Sequence, residues 1–219
     1  VHRLWLGGGF MTPSELASRP HVAREHQALF VNAALCHDLK SVEEAGRQIL
    51  RGDPMEVALA KLGRNLAGDL GDCTRVDEIP FDTDRKRMSV LIKTPQGRVL
   101  YTKGALETVL ACCRFVRFDA GVAPLDPAGR TRLLAAQDEM AGAGLRVLAF
   151  AQRTLGDEST PAAEEEMTFA GLIGLEDPPR AEVPGAIAQC VAAGIRIIMV
   201  TGDHPRTGLA IARQIGLIH

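Results

Sequence analysis

Between His21 and Cys36 the apolar positions Val22, Leu29, Ala33 and Cys36 recur at helical spacing, which predicts one helix over 21–36. Asp53 then stands where it can cap a second helix, with Pro54 at the favoured first position. Met55, Leu59, Leu62 and Leu66 form the apolar stripe of that helix, and Gly68 can end it. The period then shortens. Arg87 to Lys93 and Arg98 to Lys103 are β-rich runs joined by Thr94-Pro95-Gln96-Gly97, and they predict a hairpin. Leu106, Val109, Leu110 and Cys113 restore helical spacing after Gly104, and a further helix is predicted from about Pro127 to Ala141, stopped by Gly142 and Gly144. Arg146 to Gln152 and Thr168 to Leu175 are predicted strands, separated by the acidic stretch Gly156 to Glu166, expected to be an exposed loop. Strands and helices that cluster without strict alternation imply an α+β fold with an antiparallel sheet flanked by helices.

The grammar changes after Asp177-Pro178-Pro179-Arg180. A predicted helix with Val183, Ile187 and Val191 inward leads through Gly194 to a predicted strand, Ile195 to Val200. Thr201-Gly202-Asp203 follows, and then a helix with Gly208, Ile211, Ala212 and Ile215 on one face, ended by Gly216. This α-β-α order is the unit of a parallel doubly wound sheet, and a single unit cannot cover both faces of its sheet. The expected division is therefore 1–176 for the α+β domain and 177–219 for an incomplete α/β segment, because paired prolines stiffen the junction.

The 219 residues are 46% hydrophobic and 24% charged, a balance that excludes a disordered tail, a fibrous repeat and a coiled coil. No run of about 18 apolar residues occurs, so no transmembrane helix is predicted and the chain is expected to be soluble. A net charge of -2 argues against a dominant nucleic-acid surface. The five cysteines show no CxxC pair or zinc spacing, and the six histidines no HExxH, so packed reduced thiols and no protein-ligated metal are expected. The chain opens on Val1 rather than Met, with too short an apolar run for a signal peptide, and is expected to be part of something larger.

Three places carry candidate chemistry. Thr201-Gly202-Asp203 lies where parallel α/β sheets bind ligands, beyond a strand's carboxyl end. There Thr201 offers a hydroxyl and Gly202 permits backbone approach to an anion; Asp203 either holds a cation-bound water or simply caps the helix. Phe81 beside Lys86 can stack a purine next to a phosphate-neutralising cation, or can be a strand-end core residue. Lys103-Gly104-Ala105 puts a lysine and a glycine at a strand-to-helix junction, suited to an anion or to an ordinary turn. Neither a Walker loop nor a GxGxxG after a strand is present.

Taken in order, Gly52 to Leu59, Phe81 to Val90, Lys103-Gly104-Ala105-Leu106-Glu107, Gly144 to Ala149, Asp177 to Arg180 and Met199 to His204 resemble the P-type cation-transporting ATPases, most closely the calcium-type branch. The resemblance covers most of the chain. It implies an ATP-binding N-domain joined to part of a haloacid-dehalogenase-like phosphorylation domain. By that resemblance Phe81 matches the aromatic that stacks adenine and Glu56 the acid near the adenine amino group. Lys86 and Lys103 match the two pocket lysines, with Gly104 beside them. Arg146 matches the arginine that reaches the phosphates, and Leu148 the apolar residue by the base. Asp177 and Arg180 match the hinge, and Thr201, Gly202 and Asp203 the phosphate-handling loop. Leu106 departs from the family's proline at that place, and no D-K-T-G-T nucleophile or G-D-G-x-N-D magnesium loop occurs. The resemblance implies ATP and ADP as ligands and Mg2+ in the complete enzyme. It implies the rest of the same pump (phosphorylation domain, actuator domain, membrane helices) as partner, and a place as the cytoplasmic domain of an integral membrane protein. The alternative, a self-standing dehalogenase-type phosphatase or phosphotransferase, would need a nucleophile loop after an early strand; Asp82-Thr83-Asp84 has the letters but follows Pro80, a poor central-strand residue.

Overall fold

The computed structural model describes residues 1–44, 47–119, 121–156, 163–176, 180, 182–201 and 205–218, leaving out the side chains of Arg47 and Arg206. A hairpin of β1 (Arg3–Leu6) and β2 (Gly9–Met11) opens the chain, followed by helices α1 (Pro13–Ala17), α2 (Pro20–Glu25) and α3 (Gln27–Leu35). A second hairpin, β3 (Lys40–Glu44) and β4 (Arg47–Arg51), precedes α4 (Pro54–Leu66). The meander β5 (Thr74–Asp82), β6 (Arg87–Thr94) and β7 (Gly97–Gly104) leads to α5 (Leu106–Cys112), β8 (Cys113–Phe118) and β9 (Gly121–Pro124). Helix α6 (Pro127–Gly142), β10 (Arg146–Leu155), β11 (Met167–Leu175), α7 (Val183–Ala192) and α8 (Pro205–Gln214) complete the described elements.

The main sheet runs β2-β1-β11-β10-β7-β6-β5 with every neighbour antiparallel, and β8 pairs in parallel with the other end of β11. Register sets its two faces, because directly opposed residues project to the same side. Lys103 faces Met88 and Phe150, whereas Thr102 faces Ser89 and Ala151. Helices α3 and α4 cover the first side, packing Leu29, Phe30 and Leu59 on Leu4, Phe150 and Ile173. Helices α5 and α6 cover the second, with Leu106, Val109, Leu133 and Met140 on Leu91, Leu100 and Leu172. Burying such side chains stabilises by about 1.5–3 kcal/mol each, so the fold rests on two helix-covered faces. This is the α+β architecture expected from the clustered strands and helices.

Several expectations are corrected. The helix predicted over 21–36 is two helices, broken at His26, where the backbone leaves the helical region (φ -105, ψ 23). The break turns the His26 ring inward, buried, with Nε2 at 3.2 Å from an Asp119 carboxylate oxygen. Ile195 to Val200 is not a strand: it pairs with nothing among the described residues, and Ile198 and Val200 are 71% and 90% exposed. A strand needs a partner for its N–H and C=O groups, and no described strand reaches this segment. Val191, predicted inward, is 62% exposed for the same reason: among the described residues no strand lies beneath its helix. The acidic stretch is not wholly exposed either, since the Glu164 carboxylate is largely covered, held between Arg85 and Arg87; residues 157–162 lie outside the described residues. Cys113 begins β8 rather than continuing α5. All five cysteines are free thiols.

Candidate nucleotide-binding site

Antiparallel pairing brings four strand ends together. The end of β5 (Phe81), the start of β6 (Arg87), the end of β7 (Lys103) and the start of β10 (Arg146) occupy one edge of the sheet. Three strand spacings span about 14 Å across them. The first turn of α4 lies over this edge. Asp53 caps it, its carboxylate accepting from the Met55 and Glu56 amides at 2.8 and 3.2 Å, so Glu56 is held in a fixed first turn.

Glu56 forms an ion pair with the Lys103 ammonium, which is 4% exposed. A lysine this deep needs a charged partner, and Glu56, itself partly accessible, supplies it. Around this pair Cys36 is sealed under α3, its thiol pushed up to about 12 by burial. The neighbouring His37 is pushed below the usual histidine range by burial and then by the charges of Lys103, Arg64 and Arg75. Its Nδ1 accepts from the Leu39 amide at 3.2 Å, consistent with a neutral ring.

Phe81 is 61% exposed at the end of the edge strand, so the core alternative for it is excluded. The turn that follows is tightly built. The Asp82 carboxylate accepts from the Asp84 and Arg85 amides at 2.9 and 2.8 Å, and Lys86 takes a left-handed conformation (φ 50). The Lys86 carbonyl accepts from the Ala105 amide at 2.9 Å. Gly104 makes this approach possible: a Cβ there would meet the Lys86 carbonyl oxygen at 2.4 Å. Across the sheet Arg146 is exposed, its guanidinium 3.9 Å from the Met55 sulfur, while Leu148 packs half-buried into the core beneath α4. Glu56, Phe81, Lys86, Lys103, Gly104, Arg146 and Leu148 thus share one end of the sheet. A cavity of about 380 Å³ lies elsewhere, lined by Arg24, Gln27, Tyr101, Arg117 and Gln152 among others, and none of those seven residues lines it.

The profile of the family described as P-type ATPase, cytoplasmic domain N, matches residues 25–182. The chain belongs to this family. A sodium/potassium exporting P-type ATPase of Schizosaccharomyces pombe is 37% identical over 87% of the chain, which spans 19% of that protein. Calcium-transporting ATPase 1 of Bacillus cereus is 36% identical over 86% of the chain and 22% of its own length. A calcium-transporting ATPase of Bacillus subtilis is 31% identical over 97% of the chain and 24% of its own length. The chain therefore spans about a fifth of the length of the curated relatives it matches.

In this N-domain family member two more of the predicted residues, Arg180 and Thr201, are described, and they lie outside the cluster. Arg180 is exposed and Thr201 lies beside α8, its methyl 3.2 Å from where a Cβ on Gly208 would sit. Asp177, Gly202 and Asp203 lie outside the described residues. Structure adds residues that the motifs do not mark. Asn32, fully buried in α3, donates to the Thr102 and Ala151 carbonyls at 3.0 and 2.9 Å and so ties the helix to β7 and β10. Its only signal in the sequence is an amide inside the apolar run Ala28 to Leu35. Cys36 and Met88 lie beside Lys103 and carry no chemical signal in the sequence.

Proposed function

We propose that this chain is the ATP-binding domain of a P-type cation-transporting ATPase of the calcium-type branch. The observation that supports it is the convergence of Phe81, Lys86, Lys103, Glu56 and Arg146 on one sheet edge, with an exposed aromatic at one side and cations across it. Adenine would stack on Phe81, with Glu56 toward its amino group and Leu148 against the base. Lys86 and Arg146 would draw the phosphates, and Gly104 would keep the backbone low enough for approach. Residues 1–176 would be this domain and 177–219 part of a haloacid-dehalogenase-like phosphorylation domain. In that part Asp177 and Arg180 would form the hinge and Thr201, Gly202 and Asp203 the phosphate-handling loop.

In the complete pump, the bound ATP would be presented to an aspartate that becomes phosphorylated, with the phosphorylation and actuator domains and membrane helices as partners. Mg2+ would accompany the phosphates; among the described residues no group of three or more acidic, histidine or cysteine side chains is placed to hold a metal. The domain would face the cytoplasm. The chain alone would bind nucleotide without turnover, since it contains no D-K-T-G-T string and positioning of the attacking group is essential to phosphoryl transfer. The phosphatase alternative loses ground because Asp82, its candidate nucleophile, is committed to two turn amides at the sheet's edge.

Titration of the chain with ATP and with ADP, followed by amide NMR, tests this reading. Saturable shifts at Phe81 to Lys86, Lys103 and Arg146 with both nucleotides are expected; no shifts at millimolar ATP would overturn it.

A further inference from the structure

The β5–β6 turn is braced from the side of the sheet opposite Lys103. Glu164 comes from a segment 75 to 79 residues away from the groups it binds and is 9% exposed. One of its oxygens accepts from Arg85 Nη2 at 2.7 Å and from Ser89 Oγ at 2.6 Å; the other accepts from Arg87 Nε at 2.8 Å. Ser89 in turn shares a hydrogen bond of 2.6 Å with Thr102, and both residues are fully buried. Ser89 and Thr102 oppose each other across β6 and β7, one residue out of phase with the opposed pair Met88 and Lys103. Side-chain alternation therefore puts the clamp on the far face from Glu56 and Lys103.

Three cations, Arg85, Lys86 and Arg87, occupy consecutive positions in this turn. Left alone they would repel one another and splay the turn. A single carboxylate engages the outer two, and charge-assisted bonds of this length in a water-poor setting are strong and directional. Lys86 lies between them, exposed and in its left-handed conformation, with Phe81 at the turn's other end.

We propose that Glu164 is a positioning residue for the nucleotide site: it clamps Arg85 and Arg87 from the opposite face, and so holds Phe81 and Lys86 in their presenting geometry. The inference rests on the reading of that edge as an ATP site. It assigns the acidic segment a role that its composition does not show. It also assigns the three cations different tasks, two fixing the turn and one left for phosphate.

The test uses the 219-residue chain and ATP, with Glu164→Gln, Glu164→Asp and Arg85→Gln variants. Glu164→Gln is expected to weaken ATP binding about tenfold, a factor within the loss of one base stack, and Glu164→Asp to recover part of it. Without nucleotide, the amide resonances of Asp82 to Met88 should shift in Glu164→Gln. A merely structural role would lower the melting temperature and leave the next readout unmoved. Phe81→Ala should weaken binding much less in the Glu164→Gln background than in the wild type, the coupling a double-mutant cycle measures. If Glu164→Gln fails to fold, Arg85→Gln, which leaves Glu164 its bonds to Arg87 and Ser89, carries the same cycle. Additive losses with unmoved turn resonances would overturn the clamp while ATP binding by the wild type stands. Absence of wild-type binding would instead overturn the nucleotide reading, and the positioning role with it.

Discussion

At the scale of single residues, the exposure of Phe81 is what separates a stacking role from a packing one. A buried phenylalanine costs about 3–5 kcal/mol of stability when truncated, but Phe81 keeps most of its surface in solvent. Phe81→Ala is therefore expected to weaken ATP binding by about 1–3 kcal/mol with little change in melting temperature. A titration run beside a melt checks it, and a large fall in melting temperature without loss of binding would count against stacking. His37 gives a pH signature. Its folded-state affinity for protons is depressed, burial being the largest cause. As pH falls through the ordinary histidine value of about 6.5, the unfolded chain takes up a proton that the folded one refuses. Its contribution to stability is thus full above that value and declines as pH drops toward the folded-state value. Urea unfolding at pH 7.5 and 5.5 should show this decline, and His37→Gln should remove that part of it.

At the scale of elements, helix α4 carries Glu56 and Met55 to the site, and its position depends on a close crossing with α3. Gly63 lies at that crossing, where a Cβ would meet the Ala34 nitrogen at 2.4 Å and the Phe30 carbonyl oxygen at 2.5 Å. Both are backbone atoms of α3, which cannot swing aside as a side chain can. Replacing a helical glycine by alanine normally gains about 1 kcal/mol. Overpacking of a fitted contact costs about 1–3 kcal/mol, and here the helices themselves would have to part. Gly63→Ala should consequently lower the melting temperature by a few degrees, measured by thermal unfolding; a rise would mean that the crossing relaxes freely. The same crossing explains why α4 is legible in the sequence. Its stripe of Met55, Leu59, Leu62 and Leu66 faces α3 and the sheet, and its cap and proline mark its start. Strand β5 offers no such pattern, because an edge strand exposed almost throughout, with Pro80 inside it, has no buried face to impose alternation.

For the molecule as a whole, packing is uneven. The core strands β6, β7, β10 and β11 are covered by helices, whereas residues 183–200 expose Val191, Ile195, Ile198 and Val200. Farther along, α8 is anchored: the Thr207 hydroxyl donates to the Leu145 carbonyl at 3.3 Å, and Gly144 lies close under Ala210. Hydrogen exchange should accordingly release amides of 183–200 well before those of β10 and β11, and equal protection would contradict it. Legible in the chain alone were local features: the capped helix α4, the β6–β7 hairpin, α6 between its proline and its glycines, and the motifs that contain Glu56, Phe81, Lys103 and Arg146. Each depends on near neighbours, whose spacing and turn chemistry are written directly in the chain. Long-range packing set the rest: it breaks helix 21–36 at His26 and leaves Ile195 to Val200 without a described strand pairing. It also buries Lys103 against Glu56 and brings Glu164 across the sheet to Arg85 and Arg87. The physical reason is shared by all four: each outcome depends on a partner tens of residues away, or on the lack of one among the described residues, and local periodicity carries no record of it.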